Sequence, residues 1–138
     1  MKKIAVTQRV DISEHGERRD CLDQKWSELL LTCGFLAMPV PNKIDVAVSL
    51  LRDDAVAGLL LTGGNDLCSL GGDASERDAT EEALVVDARA RGLPVLGVCR
   101  GMQILLHLAG GGLERIPGHV AAQQIIIVDN APREVNSY

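Results

Sequence analysis

Apolar residues recur along this chain in short blocks whose spacing alternates between that of a strand and that of a helix. Lys2 to Gln8, carrying Ile4 and Val6, predicts a first strand followed by a polar loop. Leu22, Trp26, Leu29, Leu30 and Cys33 recur at helical spacing and predict a helix from about Arg18 to Cys33, stopped by Gly34. Phe35 to Val40 reads as a short strand broken by Pro39 and Pro41, and Ile44 to Leu51 as a short helix. Val56 to Thr62 is an unbroken apolar run, the pattern of a strand covered on both faces. Ser75 to Gly92 predicts the longest helix. Ser75 and Asp78 have capping-box spacing, acidic residues load the first turns, and Arg89 and Arg91 close the far end. Its inward face is expected to be Ala79, Ala83, Val86 and Ala90. Pro94 to Val98 predicts a buried strand, Met102 to Leu108 a helix, Gln124 to Val128 a strand, and Arg133 to Tyr138 the start of one more.

Strands alternating with helices imply βαβ units, hence a three-layer, open, mostly parallel sheet with helices on both faces. No repeat or linker divides the 138 residues, so one domain is expected. With one Trp, one Tyr and one Phe, the core has to be built from aliphatic residues, as suits helices packed on a parallel sheet. A formal charge of −5 and the lack of a basic stripe argue against a nucleic-acid partner. Met1-Lys2-Lys3 is followed by only Ile4-Ala5-Val6 before polar residues, too short for a signal sequence, and no apolar run reaches membrane-spanning length. A soluble, cytoplasmic protein with no membrane partner is expected.

The cysteines are Cys21, Cys33, Cys68 and Cys99, with no C-x-x-C pair and no Cys/His cluster of zinc-ligand spacing. No metal or other cofactor is expected. Cys21 and Cys33 are expected as buried thiols on the apolar side of the first helix. Cys99 has different neighbours. Gly97-Val98-Cys99-Arg100-Gly101 lies between an apolar strand and an apolar helix, the G-x-C-x-G form of a nucleophile elbow. Such a turn lifts the middle side chain above the sheet, and strand and helix pass so closely that the flanking positions have to be glycine. The N–H groups at a helix N-terminus favour a thiolate, the form that attacks a carbonyl, and Arg100 is expected to add to this. Leu61-Thr62-Gly63-Gly64-Asn65-Asp66, at the C-terminal end of the Val56 to Thr62 strand, belongs to the same carboxyl edge of the sheet, where ligands bind. The backbone N–H groups of Gly64 and Arg100 are candidates for an oxyanion hole.

These segments together resemble the class I glutamine amidotransferase superfamily, nearest the γ-glutamyl-γ-aminobutyrate hydrolase (peptidase C26) group, whose elbow reads G-x-C-R-G-M-Q. Gly97 to Gln103 carries that match, supported by Arg77-Asp78, by Gly110-Gly111 and by Val135-Asn136-Ser137-Tyr138. The resemblance implies a flavodoxin-like fold and a cysteine-dependent hydrolysis of the side-chain amide of glutamine or another γ-glutamyl amide through a γ-glutamyl thioester. It implies Cys99 as nucleophile, Gly64 and Arg100 as oxyanion donors, and Gly63, Gln103, Asn136, Ser137 and Tyr138 about the substrate. Its partner would be that small molecule. A synthase receiving the ammonia, or a second copy of the chain, is the further partner considered.

One departure stands out. The family's general base is a histidine in a His-Pro-Glu segment, and none occurs here. Of His15, His107 and His119, the second lies eight residues along the helix from Cys99, about 12 Å of rise and out of hydrogen-bond reach. The domain is therefore expected to lack its C-terminal portion, and a non-catalytic relative is the alternative reading.

Overall fold

The computed structural model describes residues 1–118 and 122–137. In chain order the elements are β1 (Lys3–Val6), β2 (Arg9–Ile12), β3 (Arg18–Cys21), α1 (Gln24–Thr32), β4 (Leu36–Pro39), α2 (Ile44–Leu51), β5 (Val56–Leu61), a 3-10 turn (Cys68–Leu70), α3 (Ser75–Ala90), β6 (Val95–Gly97), α4 (Arg100–Leu108), β7 (Ala122–Val128) and β8 (Ala131–Ser137). Among the described residues β4, β1, β5 and β6 form one sheet in that order, and every neighbouring pair is parallel. Chain order thus reverses direction at β1, the arrangement of a flavodoxin-like doubly wound sheet.

Alternation along the central strands builds two cores. Leu59 and Leu61 of β5 and Ala5 of β1 pack with Ala47, Leu51, Leu84, Val85, Ala88 and Ile104 from α2, α3 and α4. On the opposite face Val6 and Leu60 pack with Leu30 of α1, bordered by Trp26 and Phe35. These are the three layers the sequence pattern predicts.

Several expectations are corrected. Residues 18–21 are not helical. They are β3, which pairs antiparallel with β2, and α1 begins only after Asp23, whose side chain accepts the Lys25 N–H at 2.9 Å. Cys21 therefore sits on a strand, half-buried, and Cys33 is exposed. Helix α3 has no side-chain cap at its start, and the Asp78 carboxylate faces elsewhere. Its buried face is Arg77, Thr80, Glu81, Leu84, Val85 and Ala88, whereas Val86 is 64% exposed. Strand β6 borders the sheet among the described residues, which leaves Leu96 exposed rather than buried. Finally, β7 and β8 form an antiparallel hairpin of their own instead of extending the parallel sheet. They turn at Asp129 and Asn130, both with positive φ (51° and 60°), as a type I′ turn between twisted strands requires.

Candidate active site

Strand β6 ends at Gly97 and α4 begins at Arg100, so the chain reverses within two residues. Cys99 is the N-cap of α4, at φ 56° and ψ −114°, a conformation that side chains beyond glycine rarely take and that costs on the order of 1–3 kcal/mol. The surrounding turns hold it there. Val98 N–H donates to Leu61 O at 2.9 Å, Gly101 N–H to Val98 O at 2.9 Å, and Met102 N–H to Cys99 O at 3.0 Å. The side chain is left exposed at the carboxyl edge of the sheet.

Both flanking glycines are required by close approach. A Cβ on Gly97 would lie 2.4 Å from Gly101 O, and a Cβ on Gly101 would lie 2.2 Å from Leu61 O. The obstacle in each case is backbone, which cannot swing away. Gly101→Val should therefore lower stability by at least about 1–3 kcal/mol through overpacking, measured by urea unfolding. A variant that unfolds at the parent's urea midpoint would contradict the close approach.

The Thr62–Asn65 loop comes beside the elbow. A Cβ added to Gly63 would sit 3.6 Å from Cys99 Sγ. Gly64 has φ +81°, and Asn65 also takes a positive φ, 58°. The Asn65 side chain holds the β2–β3 hairpin over this loop, accepting the Val10 N–H at 2.8 Å and donating to Val10 O at 2.9 Å.

Beneath the two loops lies a charged cluster that the sequence pattern does not reveal. Arg77 and Glu81 are fully buried on α3 and pair at 3.0 Å. Glu81 also binds the Arg100 guanidinium, whose other arm holds Asp78. Arg77 reaches the loop with its remaining nitrogens, donating to Thr62 O at 2.9 Å, to Asn65 Oδ1 at 3.1 Å and to Gly64 O. Burial lowers the Arg77 pKa from its ordinary value, and the Glu81 charge opposes that shift. Asp78 in turn accepts the Cys68 N–H at 2.8 Å. The cluster holds two cations and two anions, so each buried charge has a counter-charge. The Arg100 guanidinium itself is engaged by Asp78 and Glu81.

Of the other residues singled out, Gln103 is half-buried on the first turns of α4 and lines a cavity of about 500 Å3 with Asp66, Leu113 and Arg115. Asn136 and Ser137 fall on β8, but their side chains, like Tyr138 and His119, lie outside the described residues. His15 sits in the exposed turn between β2 and β3, and His107 in the last turn of α4. Among the described residues no group of His, Cys, Asp and Glu could hold a metal, and no helix is long and apolar enough to cross a membrane.

The Peptidase C26 family profile matches residues 4–132, which takes in the elbow, the Gly-Gly loop and the cluster beneath them. The chain belongs to the Peptidase C26 family. It is also similar to a gamma-glutamyl-CDP-amidate hydrolase of Campylobacter jejuni, at 26% identity over 88% of this chain and 62% of that protein. A Mycobacterium tuberculosis protein with a provisional glutamine amidotransferase name is 40% identical over 45% of this chain and 23% of its own length. The chain thus spans about three-fifths of the first relative and under a quarter of the second.

Proposed function

We propose that this chain carries the nucleophile and the oxyanion donors of a hydrolase acting on glutamine or another γ-glutamyl amide. The observation that carries the reading is Cys99 itself: a strained, exposed residue at the N-cap of α4, so close to the Gly-Gly loop that a Cβ on Gly63 would lie 3.6 Å from its sulfur. Family membership and the relatives' names support the substrate class.

In the proposed reaction the Cys99 thiolate attacks the γ-carbonyl carbon, and the carbonyl electron pair moves onto oxygen. The N–H groups of Gly64 and Arg100 receive that oxyanion. Collapse breaks the C–N bond, the amine leaves with a proton, and a γ-glutamyl thioester remains for water to hydrolyse. Gln103, Asn136, Ser137 and Tyr138 would contact the glutamyl group. Proton transfer to the amine and from the water is a separate requirement, worth about 10²–10⁴-fold where a side chain supplies it. His107 lies too far along α4 for that role, about 12 Å of helix rise from Cys99, and His15 lies in the exposed β2–β3 turn.

The reading predicts an asymmetry. A γ-glutamyl p-nitrophenyl ester, whose phenolate leaves without a proton, should release about one equivalent of nitrophenolate from the 138-residue chain and then slow sharply. Glutamine should give no sustained ammonia. No nitrophenolate burst would remove the nucleophile, and steady ammonia release would show that a base is present among these residues.

A further inference from the structure

Two backbone N–H groups form a working oxyanion hole only if their separation is fixed before the substrate arrives, because the stabilisation depends on donors already in place. Here the two donors belong to different segments. Gly64 lies in an irregular loop after β5, and Arg100 starts α4 after β6. Loop backbone of this kind, with positive φ at consecutive residues, has no ladder of its own to hold it.

Arg77 supplies the missing constraint. Its guanidinium binds Thr62 O and Gly64 O, the carbonyls that flank the peptide bearing the Gly64 N–H, so that peptide is gripped at both ends. A further bond to Asn65 Oδ1 ties in the side chain that fastens the β2–β3 hairpin. The Arg77 Nε donates to one oxygen of Glu81, and the other oxygen of Glu81 receives Arg100. One fully buried carboxylate therefore connects the residue that holds the first donor to the residue that bears the second. A buried ion pair is an uncertain source of stability, since apolar residues of similar volume often serve as well. Its fork geometry, by contrast, sets position in a way apolar packing does not.

Resting on the catalytic reading above, we propose that Arg77 and Glu81 are positioning residues that set the distance between the Gly64 and Arg100 N–H groups. They act through Gly64 and Arg100 and do not touch the substrate.

The test separates attack on a carbonyl from mere reaction of the thiol. In the p-nitrophenyl ester, Cys99 Sγ bonds to the γ-carbonyl carbon, the oxygen bears the negative charge, and the C–O bond to the phenolate then breaks. Iodoacetamide alkylates the same sulfur by displacing iodide and forms no oxyanion. Arg77→Lys keeps the charge but loses the fork, and Glu81→Gln keeps the shape but weakens the grip on both arginines. Either variant, if it retains the parent's circular dichroism, should lower the ester burst rate by at least about tenfold, a fraction of the 10²–10³ lost with one whole donor. The iodoacetamide rate should stay within about twofold of the parent. Glu81→Gln serves as the readout should Arg77→Lys melt. Equal changes in both rates would overturn the positioning role and leave a structural one. A parent chain without any burst would instead overturn the catalytic reading.

Discussion

Glu81→Ala should be among the most destabilising single substitutions in this chain, costing about 3–5 kcal/mol. Its side chain is fully buried between Arg77 and Arg100. Removing it leaves the Arg77 guanidinium with neutral oxygens only, and Arg100 with Asp78, which is 25% exposed. An uncompensated buried cation is far costlier than a lost surface pair, because water no longer solvates it. Glu82, the next residue on α3, is exposed, and Glu82→Ala should fall within about 0.5 kcal/mol of the parent. Thermal unfolding of the two variants side by side gives the comparison. Glu81→Ala should melt about 10 °C below the parent at a few degrees per kcal/mol. Similar melting of the two alanine variants would mean that the Arg77–Glu81–Arg100 cluster does not exist as described.

Cys99→Gly should do the opposite: abolish the ester burst while leaving the melting temperature at or above the parent's. Cys99 holds φ 56° and ψ −114°, where glycine is unstrained. Relief of on the order of 1–3 kcal/mol of strain outweighs glycine's extra freedom in the unfolded chain, about 0.5–1 kcal/mol. The Cys99 side chain is exposed, so little buried area is lost. A nucleophile whose removal stabilises the protein is the signature of strain kept for chemistry. Marked destabilisation by Cys99→Gly would show that the cysteine is there for packing.

The parts of this molecule legible in the sequence are those governed by local backbone geometry. β5 announces itself because both its faces are covered, and the elbow because Gly97 and Gly101 admit no side chain. The charged cluster is not legible in the sequence, for a physical reason. Arg77 and Glu81 are four residues apart on a helix, the spacing of an ordinary surface pair. Yet Arg77, Glu81, Leu84 and Ala88 fall at i, i+4, i+7 and i+11, and Leu84 and Ala88 line the core. Extending that apolar stripe backwards places both charges inside. The expected stripe of Ala79, Ala83, Val86 and Ala90 has the same period but the wrong phase, since alanine marks either face. β3 is not legible because Arg18 to Cys21 is almost wholly polar and mostly exposed, so apolar alternation has no reason to appear there, and β2 alternates over only four residues, with Val10 alone buried. In the β7–β8 hairpin the signal was present, in Asp129-Asn130 between two strand-like runs.

The most direct measurement is peptide mapping after treatment with a chloroketone analogue of glutamine, which alkylates a thiol placed to attack the γ-carbonyl. The four cysteines are built-in controls. Local desolvation and a hydrogen bond to Asp78 raise the pKa of Cys68, although its residue surface is exposed, and desolvation and Asp11 raise that of Cys21, so both are less available as thiolates at neutral pH. Cys33 is exposed but remote from the Gly-Gly loop in sequence and lies at the end of α1. The account predicts one equivalent of adduct, on Cys99, formed faster than by a chloroketone lacking the glutamyl group and competed by glutamine. Modification of Cys33 or Cys68 in preference to Cys99, or labelling of Cys99 that glutamine does not slow, would contradict it.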